Sequence, residues 1–250
     1  MDEFDQRLEN LAYNNSSVKL LMTLPGVSFL VAMAVTASLG KVERFDCPEK
    51  LASYFGLVPS TSQSAKTVHH GSITKQGNSM ARWMLIQAAQ HARTHTGPLG
   101  YFYQRLKRRK GHNIAIVATA RKLAVFAWHI LTNNESYRYA QPEPTQNKLQ
   151  KLRTKATGER RKSGPKKGTP ASARNNVGAR TKRIPPLNEV LRSEGIPAAK
   201  TLLELPLAEK RHLRKNNLVT TVRNLEKEHR VQKRVRKTPD RPKENLHARQ

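Results

Sequence analysis

The chain has 250 residues and a formal net charge of +28, from 46 Lys and Arg against 18 Asp and Glu. Such a large charge of one sign repels itself and attracts polyanions, which makes nucleic acid the first partner to consider. Composition excludes several other classes of protein. The single cysteine, Cys47, forms no internal disulfide and no zinc site of several thiolates. The one long apolar run, Phe29 to Leu39, is well short of the roughly 20 residues that span a bilayer.

The first ten residues are acidic and do not resemble a signal peptide. A single cysteine also fits a reducing compartment. We therefore expect a cytoplasmic protein without a membrane partner.

The first 20 or so residues predict a helical lead-in, residues 1–19, made of two short helices with a cap near Ser16 or Ser17. After a Pro-Gly turn, residues 29–39 are apolar all round and predict a buried helix that ends at Gly40. Asp46, three residues before Glu49, predicts a capped helix from about Cys47 to Phe55.

Residues 57–77 are short, β-branched and polar, and predict an irregular loop or small hairpin. Asn78 is a suitable cap for a helix through about His95, and two further helices are predicted at residues 99–110 and 113–131. The predicted fold is therefore mainly α, with a helical domain at residues 20–135.

The remainder of the chain, residues 136–250, predicts a basic low-complexity tail that is largely disordered. All fourteen aromatic residues lie in the first 140 positions, and the last 110 contain 29 basic and 10 acidic residues. Such a composition buries too little apolar surface to fold. Short helices at residues 187–191, 198–205 and 218–225 are the exceptions that the leucine pattern allows.

Residues 20–40 read LLMTLPGVSFLVAMAVTASLG and have the form of a helix-hairpin-helix. In such a motif, the turn of Pro25, Gly26, Val27 and Ser28 binds a DNA phosphate. The free backbone N–H groups of Gly26, Val27 and Ser28 point outwards to it. An ordinary helix–helix turn inside a core has the same pattern, and the spacing alone leaves both interpretations open.

Two basic segments are candidate phosphate-contacting faces, and solvated helix faces are the alternative. They are Arg105, Lys107, Arg108, Arg109 and Lys110 in the first segment, and Arg121 and Lys122 in the second.

The chain offers few carboxylates for a Mg²⁺ nuclease site, and the His69-His70 pair has no carboxylate or cysteine nearby in sequence. We assign no metal ligands and no cofactor to it. The loop instead contains several serines among Lys66, Lys75 and Arg82. A serine hydroxyl can attack a phosphodiester if nearby cations stabilise the developing charge, although serine-rich loops are also common in proteins without such chemistry.

Residues 20–132 closely resemble the C-terminal transposase domain of the one-ten (also called 116/902) family of insertion-sequence transposases. The LPGV turn, the run from Arg44 to Pro59, the QS pair containing Ser64, the GSITKQGN run ending at Asn78, and the ATARKL stretch carry this resemblance.

The resemblance implies that Ser64 is the nucleophile that joins DNA covalently during strand exchange. It also implies an N-terminal RuvC-like domain that binds Mg²⁺. Because the chain begins just before the hairpin, we expect that domain to be missing and the chain to be a truncated form. Complete family members act as homo-oligomers on DNA, some with an element-encoded guide RNA, so these are implied partners.

The leading hypothesis is a DNA-binding transposase for serine-dependent strand exchange. A non-catalytic basic nucleic-acid-binding protein and a ribosome-associated protein that prefers structured RNA are the alternatives.

Overall fold

The computed structural model describes residues 2–64, 67–158, 181–227 and 229–232. The described residues are mainly helical, which confirms the predicted fold class. The helices are α1 Asp2–Asn14, α2 Ser16–Leu21, α3 Phe29–Leu39, α4 Pro48–Tyr54, α5 Ser79–Ala92, α6 Pro98–Lys110, α7 His112–Asn133, α8 Pro142–Thr157, α9 Leu187–Ser193, α10 Leu207–Lys215 and α11 Val219–Glu226, with a 3₁₀ turn at Val42–Arg44. Two antiparallel pairs join β1 Pro59–Ser64 to β2 Thr67–Ile73, and β3 Thr181–Ile184 to β4 His229–Gln232.

Helix α7 is the central element of the fold. It packs against α4, α5 and α6, and small residues such as Ala120, Ala124 and Ala127 on its buried face let those helices approach closely. Among the described residues, α7 is the one helix long and apolar enough, by length and composition alone, to cross a membrane. Its position inside the core gives a physical reason for that composition.

Local capping signals set several helix boundaries. The Asn78 side chain accepts a hydrogen bond from the Ala81 N–H at 3.0 Å, which confirms its predicted role at the start of α5. The division into α1 and α2 is also confirmed, although the cap is Asn15 rather than Ser16 or Ser17. The capping role predicted for Asp46 is wrong: Cys47 precedes α4 without a side-chain cap, and Asp46 pairs with Lys50 instead.

The turn between α2 and α3 faces the interior. Pro25 and Val27 are buried, and Gly26 lies against the backbone of α5. Because α2 spans only six residues, the two elements flanking the turn differ greatly in length. The helix-hairpin-helix motif stays a prediction.

The structure differs from the predicted domain boundary at residue 135. Helix α8 packs on α1, and its Leu149 and Leu152 are buried in the same hydrophobic core as the helices of residues 20–135. These leucines lie three residues apart and therefore share one helix face. Residues 142–157 are accordingly part of the folded domain rather than of a disordered tail.

Further helices follow in the C-terminal part. The short helices predicted at residues 187–191 and 218–225 correspond to α9 and α11, whereas residues 198–205 are not helical and α10 was not predicted. Glu209 on α10 accepts hydrogen bonds from Arg138 at 2.7 Å and from the Tyr139 hydroxyl, which ties α10 to the segment after α7. The disorder predicted for residues 159–180 and 233–250 lies outside the described residues.

Candidate nucleic-acid interface

The hairpin β1–β2 is a polar ribbon exposed along the whole of its first strand. Its register pairs Ser62 with His69 and Ser64 with Thr67. β-Branched residues in β2 favour the extended conformation, while the Ser-Thr-Ser-Gln-Ser run of β1 provides no apolar face to bury against the core. The predicted small hairpin is therefore confirmed, and its side chains are available to a partner.

Ser64 is the last residue of β1 and is exposed. Only residues 65 and 66 separate it from β2, so it lies close to the tip of the hairpin. Lys66 lies outside the described residues. Ser64 thus has the accessibility that attack on a large substrate requires.

Lys75 and Arg82 lie at the base of the same hairpin. The Lys75 N–H donates to the Gly56 carbonyl at 3.3 Å, and the Arg82 guanidinium donates to the Phe55 carbonyl at 3.1 Å. Lys75 follows Ile73, which pairs with Pro59 at the far end of β1 from Ser64. At roughly 3.3 Å per residue, this end is about 17 Å from Ser64.

This separation changes the interpretation of the two cations. They are near Ser64 in sequence, but the length of β1 separates their end of the hairpin from Ser64. Their predicted DNA contact, at the base of the hairpin, stays a prediction.

The basic segment of α6 is a second candidate surface. Arg105 and all four residues from Lys107 to Lys110 are exposed. Cations in the last turn of a helix are also favourable for the helix itself, because they offset the negative end of its dipole. Structural stabilisation and phosphate contact are therefore compatible roles for this segment.

Helix α7 contributes to the same region. Lys122 is exposed, with its ammonium 5.8 Å from the centre of the Phe102 ring, whereas Arg121 is half-buried. Lys122 and Arg105 line one cavity of about 230 Å³, together with Tyr101 and His212. The structure thus brings the two predicted basic segments together at this point.

The turn predicted to bind phosphate is only partly accessible. The Val27 N–H donates to the Leu24 carbonyl at 3.4 Å, so the prediction that this N–H is free and points outwards is wrong. Ser28 is exposed, and its hydroxyl caps α3 by accepting from the Val31 N–H at 3.4 Å. DNA contact by this turn stays a prediction, and of its four residues Ser28 is the most accessible.

Sequence reasoning missed Lys148, a half-buried cation beneath this turn. Its ammonium donates to the backbone carbonyls of Met22, Leu24 and Val27. Burial lowers the pKa of Lys148 to about 7. The position of Lys148 directly before the buried Leu149 was the one signal in the sequence, but lysine in a polar segment is ordinarily solvated.

His95 is a second half-buried titratable group near this site. Its Nδ1 accepts from the Gly97 N–H at 3.0 Å. Burial, and then the charge of Lys148, lower the pKa of His95 to about 4. The half-buried ring is therefore neutral at physiological pH.

No group of three or more His, Cys, Asp or Glu residues able to hold a metal ion occurs among the described residues. His69 is exposed on the hairpin.

Together, a basic helical domain, an exposed polar hairpin and clustered cations define a protein suited to binding nucleic acid. Comparison with known families is more specific, because residues 18–104 match the family described as Transposase IS116/IS110/IS902. The family resemblance predicted from the sequence is therefore confirmed.

Curated relatives of the chain are also named transposases. The transposase for insertion sequence element IS1111A of Coxiella burnetii is 33% identical over 140 residues, which are 54% of this chain and 38% of that protein. A putative transposase of Sinorhizobium fredii, y4pF/y4sB, is 31% identical over 55% of this chain and 37% of its own length. The transposase for element IS1328 of Yersinia enterocolitica is 27% identical over 53% of this chain and 41% of its own. The matched part of the chain thus spans about two fifths of the length of these relatives.

Proposed function

We propose that this chain is the DNA-binding and strand-exchange part of an insertion-sequence transposase, with Ser64 as the nucleophile. The observation that carries the proposal is the position of Ser64, which is exposed near the tip of a polar hairpin within the family-matched segment. A nucleophile presented in this way can approach the backbone of a DNA duplex without rearrangement of the core.

The proposed chemistry is a transesterification. The Ser64 hydroxyl oxygen attacks a DNA phosphorus, the bond from phosphorus to one sugar oxygen breaks, and the released sugar hydroxyl takes up the proton. The energy of the phosphodiester is conserved in a serine–DNA ester, which a sugar hydroxyl of a second DNA end then attacks to restore the free serine. Lys66, the predicted cation nearest Ser64 in sequence, is proposed to stabilise the phosphorane, together with groups from a second copy of the chain or from another domain.

Resemblance also motivates the proposed partners. Duplex DNA is the substrate, and an element-encoded guide RNA and further copies of the chain are proposed to complete the assembly. Any Mg²⁺ is proposed to bind an acidic RuvC-like domain, because the described residues offer no such site. We propose a cytoplasmic location on the same basis.

DNA binding is tested by fluorescence anisotropy with labelled duplex over a range of KCl concentrations. We expect affinity to fall linearly in a log–log plot, with a slope of about 0.9 for each phosphate contacted. Binding that does not depend on salt, or no binding in low salt, would contradict the proposal.

Strand exchange is a separate claim with a separate test. A protein–DNA adduct that resists SDS is expected with the wild type and not with Ser64→Ala. Binding without an adduct would instead favour the alternative of a non-catalytic nucleic-acid-binding protein.

A further inference from the structure

The α2–α3 turn forms a cage of three backbone carbonyls around one cation. The Lys148 ammonium donates to the Leu24 carbonyl at 2.8 Å, to the Val27 carbonyl at 3.1 Å and to the Met22 carbonyl. An ammonium has three N–H donors, so every donor has an acceptor. The ammonium of this half-buried lysine is therefore fully coordinated.

The chemistry of the cage favours a monovalent cation. Its three oxygens are neutral carbonyls, and the hydrogen bonds described for Lys148 include no carboxylate. Mg²⁺ and Ca²⁺ sites in proteins rely on carboxylates to offset a double charge. Convergent backbone carbonyls, in contrast, replace the hydration shell of K⁺.

Contacts other than those of α8 hold the cage in shape. Gly26 lies so close to α5 that a Cβ atom on it would come within 2.1 Å of the Ala88 carbonyl oxygen. The Thr23 hydroxyl donates to the Leu20 carbonyl at 2.6 Å and accepts from the Tyr137 N–H at 3.0 Å. These contacts hold the turn residues that lie between the three carbonyls, and none of them involves Lys148.

We propose that the α2–α3 turn is a binding site for a monovalent cation. The Lys148 ammonium occupies this site in the structure. Free K⁺ or a small alkylammonium ion fills the site when the Lys148 side chain is shortened. Lys148 is then an intramolecular ligand through which α8 docks on the turn. This inference concerns the turn alone and does not depend on the proposed strand exchange.

The test is the thermal unfolding of full-length Lys148→Ala, followed by circular dichroism. KCl or ethylammonium chloride replaces choline chloride at constant ionic strength, because choline is too large for the cage. The stability of the variant is expected to rise with K⁺ or ethylammonium concentration and then to saturate. When the free cation concentration is roughly nine times its Kd for the cage, the ratio of folded to unfolded protein should have increased about tenfold. The matched control is Lys151→Ala, which removes an exposed lysine from the same helix. This control and the wild type should not distinguish the three cations.

Two results would overturn the proposal. One is a Lys148→Ala variant whose unfolding temperature is the same in all three salts. The other applies if the variant fails to fold in choline chloride. Its folding is then monitored by circular dichroism while K⁺ or ethylammonium is added. The site is rejected if neither cation restores the helical signal while Lys151→Ala stays folded throughout.

Discussion

Replacement of Gly26 by alanine tests how the α2–α3 turn is packed. Gly26 has φ of +77°, a region that costs an L-residue about 1–2 kcal/mol. Its position adds a steric term, because the new Cβ would lie 2.1 Å from the Ala88 carbonyl oxygen and 3.2 Å from the Ala92 nitrogen. Both neighbours are helix backbone, which cannot move aside as a flexible side chain can.

Gly158 provides a matched control for this substitution. Its φ of +68° and ψ of 4° are left-handed, but a Cβ there meets nothing within 4 Å. Gly158→Ala should therefore cost only the conformational term of about 1–2 kcal/mol. Gly26→Ala adds an overpacking term of about 1–3 kcal/mol, for a total of about 2–5 kcal/mol.

The assay is urea unfolding of the wild type and the two variants, followed by circular dichroism. We expect Gly26→Ala to lose at least about 1 kcal/mol more than Gly158→Ala, on the order of one overpacked contact. Equal losses in the two variants would refute the close packing of the turn on α5.

Three other substitutions test the α5 cap, the half-buried histidine and the basic face of α6. Asn78→Ala should lower the free energy of unfolding by about 1 kcal/mol through loss of the α5 cap, and an unchanged urea midpoint would argue against that cap. The pKa of His95 is about 4 in the folded chain, whereas a histidine in the unfolded chain binds a proton below about pH 6.5. The free energy of unfolding should therefore fall by up to about 3 kcal/mol as the pH drops from about 6.5 to about 4. His95→Gln should lose this component in a pH series of unfolding curves, and an identical pH profile would contradict it. Replacing Arg108 and Arg109 with glutamine should reduce the salt slope of DNA binding by about 0.9 for each phosphate that the variant no longer neutralises. Arg7→Gln on α1 is the control and should not change the slope. Equal slopes in the wild type, the α6 variant and the control would exclude α6 from the interface.

Local chemistry explains why most helices could be predicted. Asn78 supplies a cap, Gly111 ends α6 with a positive φ, and the apolar run of α3 forms a helix. That helix buries Val31, Ala32, Val35 and Leu39 but leaves Leu30 exposed, so the prediction that it is buried all round is only partly confirmed. These signals act within a few residues, so they can be recognised from the sequence alone.

Features that depend on long-range packing could not be predicted in this way. Helix α8 is polar in composition, and its two buried leucines acquire meaning only once α1 is in place to cover them. Burial of Lys148 likewise depends on three carbonyls more than 120 positions away in sequence. Composition therefore placed the domain boundary too early.

The candidate site shows the same limit. The resemblance identified Ser64, and the turn-like composition identified the hairpin around it. Lys75 and Arg82 lie at the base of the hairpin, and at roughly 3.3 Å per residue strand β1 carries Ser64 about 17 Å from its paired end at Pro59. Proximity along the chain was thus a poor guide to proximity in space.

The most direct test of the central claim is a search for the serine–DNA ester. Purified chain is incubated with DNA bearing the ends of the element, its RNA and Mg²⁺, in the presence of the RuvC-like domain, and protein–DNA adducts are separated in SDS. Ser62→Ala, two residues away on the same exposed strand, is the matched control for Ser64→Ala. The account predicts an adduct with the wild type and Ser62→Ala that is absent with Ser64→Ala, whereas an adduct that survives in Ser64→Ala, or none with the wild type, would contradict it.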